Sequence, residues 1–350
     1  MGMDDTAGDA VEPDQEPPAM TERLILAVDV GATNTRVMAE SVASQSVVHE
    51  AAYRNAEHAG LDEILAGFMA APEVSSAGRF AGAAVAVAGP TDGLHCRMTN
   101  LSWDIDAREL VHRLAMPTVR LLNDVQAAAY GVGRLGTSEM VRLQAGSVVA
   151  GAPRLVVAPG SGLGVGFALS QPSGYLAYPS EAGHADFAPN DETQVELLEH
   201  LRGRFGHVSW ERVLSGPGLA SIFEFLIIRR HATVASDIVQ DVERRGGAAV
   251  TEAALIGGHV IARNALSIFL DAYGALVGNL ALTLLPRGGI YLAGGITPQI
   301  MDAMRDGTFM HAFLAKGRFG EALSQFPVHV VLGRNPSLLG AAMIARHFVD

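Results

Sequence analysis

Two short glycine turns, each closing an apolar run, constrain this chain more than any other feature. The first is the segment Leu24 to Arg36, with Gly31-Ala-Thr-Asn34 at its turn; the second is Leu155 to Gly164, with Gly160-Ser-Gly162. In each, a run able to form a buried strand stops at a small, polar turn and a second apolar run follows. Backbone N–H groups and hydroxyls on two such turns can converge on a phosphate held between them, which points to a nucleotide cleft.

The chain has 350 residues, 49% of them apolar, enough for two domains with their own cores. Its formal net charge of -12 argues against a nucleic-acid partner, which calls for cationic surface. Much of that charge is local: Asp4, Asp5, Asp9, Glu12, Asp14, Glu16 and Glu22 face Arg23 alone, among Pro13, Pro17 and Pro18. Residues 1–22 therefore read as a solvated, disordered acidic tail of no assigned role. The single cysteine, Cys96, excludes an intramolecular disulfide and a multi-cysteine zinc site, as in a reducing cytosol. No basic segment followed by an apolar core marks a secretory signal, and the apolar stretch 253–285 is interrupted by Arg263, Asn264, Asp271 and Asn279 at near-helical spacing. A cytoplasmic chain with no membrane partner is expected.

Along the chain, strands are expected at 24–30, 37–40, 83–89, 119–122, 155–158, 165–169 and 289–296, the last ending in paired glycines, and helices at 61–71, 125–131, 192–204, 256–285 and 338–348. Residues 171–190 read as a loop. Alternating strands and helices predict α/β layers with parallel pairing and ligands at the carboxyl ends of strands. Asp124, just after the strand at 119–122, is placed as a catalytic base or as the N-cap of the next helix, and both readings stay open on position alone. On position alone Glu211 reads as a solvated helix-start charge and His184 as a satisfied loop or core histidine; only a matching segment would make them, with Glu181, a set suited to a ring of hydroxyls.

Six segments in one order carry a resemblance to the bacterial glucokinases of the hexokinase, actin and Hsp70 superfamily, over nearly all of 24–348. Asp29-Val-Gly-Ala-Thr-Asn34 and Ala158-Pro-Gly-Ser-Gly-Leu-Gly164 resemble its two phosphate motifs, and Leu122-Asn-Asp124 its catalytic segment. The stretches 181–189 and 211–218 resemble sugar-binding segments, and Tyr291-Leu-Ala-Gly-Gly295 the adenosine motif. Ala32 and Ala182 stand where the family usually has glycine, and Ser161 where it has threonine.

The resemblance implies an α/β, two-domain actin-like ATPase fold with the ligand cleft between a small domain (23–134, completed by 333–350) and a large one (135–332). It implies transfer of the γ-phosphoryl group of ATP to the 6-hydroxyl of glucose, with Asp124 as general base. Asn100, Asn123, Asp124, Glu181, His184 and Glu211 are the expected sugar contacts. Val28, Asp29, Val30, Gly31, Ala32, Thr33, Asn34, Gly160, Ser161, Gly162, Gly294 and Gly295 are expected at the nucleotide. Mg2+ is expected to arrive with ATP, anchored through Asp29 from its second shell, with no tightly bound prosthetic group; the expected assembly is a homodimer. A different sugar kinase on this fold and a non-catalytic sugar-responsive regulator are the alternatives. The lone cysteine disfavours the related repressor and kinase group with its zinc loop, and the acidic tail lacks a DNA-binding pattern.

Overall fold

The computed structural model describes residues 22–98, 101–333 and 335–349. The acidic tail up to residue 21 and Asn100 lie outside them.

The chain opens with β1 (Arg23–Val30), β2 (Asn34–Ser41) and β3 (Val47–Arg54), followed by α1 (Leu61–Ala70), the short α2 (Pro72–Ser75) and β4 (Arg79–Val87). A small hairpin of β5 (His95–Arg97) and β6 (Asp104–Asp106) leads into α3 (Ala107–Arg113), β7 (Val119–Asn123) and α4 (Asp124–Gly131). After β8 (Met140–Gln144) come β9 (Arg154–Pro159), β10 (Leu163–Gln171) and β11 (Gly174–Ser180). Five helices follow: α5 (Glu192–Phe205), α6 (Gly216–Arg230), α7 (Ser236–Arg245), α8 (Gly247–Leu255) and α9 (Val260–Leu284). The chain closes with β12 (Gly289–Leu292), the short α10 (Met301–Met304), α11 (Thr308–Leu314), the short α12 (Gly320–Leu323), β13 (Val328–Val331) and α13 (Pro336–His347).

One strand order occurs twice. The first sheet runs β3-β2-β1-β4-β7, and the second runs β11-β10-β9-β12-β13 with β8 added at its edge. In each, three consecutive strands pair antiparallel and the next two join parallel. The glycine turns are the β1–β2 and β9–β10 connections. A turn of three residues can only reverse the chain, so the strands it joins pair antiparallel, whereas the parallel pairing expected of strands that alternate with helices is found at β1–β4, β4–β7, β9–β12 and β12–β13.

Central β1 and β4 are buried on both faces. Leu26, Val28 and Val30 of β1 meet Leu61, Ile64, Leu65 and Phe68 of α1, whereas Ile25 and Ala27 meet Leu338, Ala341, Ala342 and Ala345 of α13. Alternation therefore sends Asp29 to the α13 side, past the last apolar contact. The larger core gathers the second sheet with α5, α6, α9 and α11.

Helix α4 explains its own run of alanines. Ala127 faces the first sheet and α13, while Ala128 and Ala129 face Val156, Ala168 and Ala177 of the second. Its partner α13 lies almost backbone to backbone with it: a Cβ on Gly340 would stand 1.7 Å from the Ala127 carbonyl oxygen, and one on Gly131 would stand 1.8 Å from that of Pro336. At the far end of α13, Arg346 and Arg134 both pair with the fully buried Glu40 of β2, the latter at 2.9 Å.

Three expected elements differ. The helix expected at 256–285 begins only at Val260: the Gly257-Gly258 pair, with Gly258 at φ +64°, ends α8, and His259 caps α9. The stretch 171–190 contains edge strand β11 and a 3-10 turn at Ala182–His184. The closing helix starts at Pro336, where Pro fills a first-turn position that needs no N–H. Helix α9 is long and apolar enough to cross a membrane by length and composition, yet 67% of its most apolar window is buried inside the fold.

Candidate active site

The two glycine turns open onto one cleft of about 690 Å3 between the sheets, a size suited to a small-molecule ligand. A second groove of about 830 Å3 lies on α7 and α8 and is lined by no residue of either turn. Its charges are matched among themselves, Arg245 pairing with Asp241 and Glu252. The cleft, where Asp29 and Asp124 face Glu181, His184 and Glu211, is the better candidate.

The first turn is held from below. Asn55 donates to the Gly31 carbonyl at 2.8 Å and accepts from the Thr35 hydroxyl at 2.8 Å, and Gly31 N–H closes the turn on the Asn34 carbonyl at 3.0 Å. Neither Ala32 nor Ala182 adopts a left-handed φ, so alanine at these positions carries no strain. Asp29 and Gly31 line the cleft. Ala32, Thr33 and Asn34 form the outward tip of the turn beside that lining, and Val28 and Val30 are buried in the core, leaving only backbone for any ligand. On the second turn Gly160, Ser161 and Gly162 all line the cleft, as do Gly294 and Gly295 beyond β12. Gly294 is required there: its φ is +81°, and a Cβ would stand 2.4 Å from the Pro159 carbonyl oxygen.

Asp124 is the first residue of α4, and the cap is Asn123. The Asn123 Oδ1 accepts from Val125 N–H at 3.1 Å and Gln126 N–H at 3.2 Å, while its amide donates to the Gly89 carbonyl at 3.2 Å. Asn123 still borders the cleft, but much of its side chain is committed to that structural role. Asp124 accepts from Val125 N–H at 2.8 Å. Burial, then the neighbouring Asp29 carboxylate, push its pKa up from 3.8 to about 6. Burial also raises Asp29, opposed by hydrogen bonding from the Asn335 amide and by the charge of Arg36.

Across the cleft, two 3-10 turns lie side by side, joined by Trp210 N–H donating to the Ala185 carbonyl at 3.0 Å. They present His184 and Glu211 beside Glu181. The imidazole is 3.8 Å from a Glu181 oxygen and 4.0 Å from a Glu211 oxygen, beyond hydrogen-bond length, so all three polar ends can serve a ligand. Glu211 is braced: one carboxylate oxygen accepts Leu163 N–H at 2.9 Å, and its carbonyl accepts from the Ser215 hydroxyl at 2.7 Å. Trp210 packs edge-on to Phe187 at 5.1 Å in the core beneath.

Sequence reasoning missed Arg36, Ser180, Asn335 and Ser337, which also line the cleft. Arg36 stands opposite Asp29 in the β1–β2 register, a pairing visible once the turn length is known. Asn335-Pro336 is a cap followed by a first-turn proline, a signal present in the sequence.

A family model described as Glucokinase matches residues 26–348. A glucokinase from Nostoc sp. strain PCC 7120 is 37% identical over 339 residues, covering 92% of this chain and 98% of the relative. One from Synechocystis sp. is 41% identical over 278 residues, covering 75% and 78%. Among solved structures, a glucokinase from an Antarctic psychrotroph superposes with a TM-score of 0.78 at 26% identity, covering 93% and 99% of the two chains. The glucokinase of Balamuthia mandrillaris in complex with glucose gives 0.76 at 19% identity, covering 93% and 94%.

Proposed function

The chain belongs to the glucokinase family, and from that premise we propose that Asp124 is the base of an ATP-dependent transfer to the 6-hydroxyl of glucose. As glucose O6 attacks, its proton passes to the Asp124 carboxylate, an O6–Pγ bond forms, and the bond from Pγ to the β–γ bridging oxygen breaks. ADP and glucose 6-phosphate result. The observation that carries this reading is the Asp124 carboxyl, raised to about 6 at the start of α4 in the cleft that both glycine turns border. A base poised there is ionised at neutral pH yet basic enough to accept the proton.

Glu181, His184 and Glu211 are proposed to read the sugar hydroxyls, with Asn123 and Asp124 facing them across the cleft and Asn100 as a further contact by family likeness. The glycine turns are proposed to hold the phosphates, and Gly294-Gly295 to admit the adenosine. Two mutually repelling carboxylates, Asp29 and Asp124, make an oxygen-donor, anionic pocket that fits Mg2+ carried on ATP, which Asp29 would anchor from its second shell. When bound, the ion neutralises β- and γ-phosphate oxygens. Residues 23–134 with 333–350 are proposed to close on 135–332 around glucose, excluding water. A cytoplasmic homodimer is proposed on family likeness, with sedimentation as its check.

Asp124→Ala tests the base. The expected result is a fall in kcat of ~10²–10⁴-fold with glucose binding by calorimetry largely intact. Wild-type kcat would remove Asp124 from the chemistry.

A further inference from the structure

We propose that Asn335, the N-cap of α13, is a positioning residue for the Asp29 carboxylate. Capping needs only an acceptor, and Asn335 Oδ1 provides it to Ser337 N–H at 2.9 Å and Leu338 N–H at 3.4 Å. The amide nitrogen is therefore surplus to the cap, and it donates to Asp29 Oδ2 at 2.5 Å. Oxygen and nitrogen cannot be exchanged here, because backbone donors face one and a carboxylate, an acceptor only, faces the other. A donor to an ionised carboxylate fixes its plane and favours its charged form.

The rest of α13 makes that contact rigid. Ser337 Oγ donates to the Asp124 carbonyl at 3.0 Å, so one helix start touches both acidic residues. Gly131 and Gly340 lock α13 against α4, and Arg346 ties its other end to Glu40. Asp29 and Asp124 repel one another. The amide of Asn335 counters that repulsion at Asp29 from the start of α13, as Arg36 does from β2.

This inference rests on Asp29 serving the metal nucleotide as proposed above. Asn335→Ser and Asn335→Asp both keep a good cap and both lose the amide donor, and aspartate adds a like charge beside Asp29. With saturating Mg·ATP, Asn335→Ser is expected to lower kcat about 10- to 100-fold, the range for a hydrogen bond to a charged group. Asn335→Asp should lower it further, with a fall in thermal midpoint from the added buried charge, whereas Asn335→Ser should keep thermal midpoint and glucose affinity by calorimetry near wild type. Wild-type kcat in both variants overturns the inference, as does a kcat loss in Asn335→Ser matched by equal losses in midpoint and glucose affinity. Asp29→Asn, measured alongside, separates the two levels. An inactive Asp29→Asn with a fully active Asn335→Ser defeats the positioning role alone, whereas a fully active Asp29→Asn defeats the reading of Asp29 and this inference with it.

Discussion

Asp124→Asn should make the protein more stable and nearly inactive, with a gain that depends on pH in a defined direction. Asparagine retains the volume and an oxygen to accept Val125 N–H, which Asp124 takes at 2.8 Å, so the start of α4 is preserved. What disappears is a charge disfavoured by burial and by Asp29. The folded chain binds the Asp124 proton more tightly than the unfolded one, so the stabilisation from that proton is complete below 3.8 and is lost as pH rises through about 6. At about 1.4 kcal/mol per tenfold, ionised Asp124 costs about 3 kcal/mol at pH 8 and roughly half of that at pH 5. Equilibrium urea unfolding of wild type and variant at the two pH values reads the difference, and a coupled ADP assay reads kcat, expected to fall ~10²–10⁴-fold. A variant no more stable than wild type at pH 8, or a gain that does not shrink at pH 5, would refute the electrostatic argument for a poised base.

Glu181→Gln and Glu211→Gln should each weaken glucose binding by about 1.5–3 kcal/mol while ATP affinity stays level, as calorimetry with each ligand would show; equal losses would make them scaffold residues. Gly340→Ala forces a methyl against the Ala127 carbonyl 1.7 Å away and should destabilise by about 1–3 kcal/mol or more, with a fall in kcat as α13 and α4 part. Wild-type stability in that variant would contradict the close packing of the two helices. Glucose should change tryptophan emission saturably, chiefly through Trp210, which is buried in the large core beside Glu211, and less through Trp103 in the small one. If calorimetry shows binding while emission and scattering radius stay fixed, the proposed closure is wrong.

Local chemistry was the legible part of this sequence. The glycine turns, Asp29, Asp124 and the set Glu181, His184 and Glu211 sit in short segments whose residue types and spacing carry their roles, and the fold places them round one cleft. What could not be read depends on contacts distant in the chain. Asn335 meets Asp29 across 306 positions and Ser337 meets Asp124 across 213, contacts that exist only once α13 has packed on β1 and α4. Position alone left Asp124 as either cap or base, because both are served by an acid at a helix start; the cap proved to be Asn123, one residue earlier. Apolar helical runs flank residues 256–259 on both sides, and the backbone needs of the glycine pair between them decide the boundary. The outer strand β11 is half exposed and lacks a clean apolar alternation, so composition made it look like loop.

ADP release by the wild-type chain, followed with Mg·ATP in the presence and absence of glucose, tests the central claim most directly. ADP should form rapidly with glucose, in step with an equal amount of glucose 6-phosphate, and hardly at all without it. ADP formation at the same rate without sugar, or glucose-dependent ADP with no glucose 6-phosphate, would contradict the account.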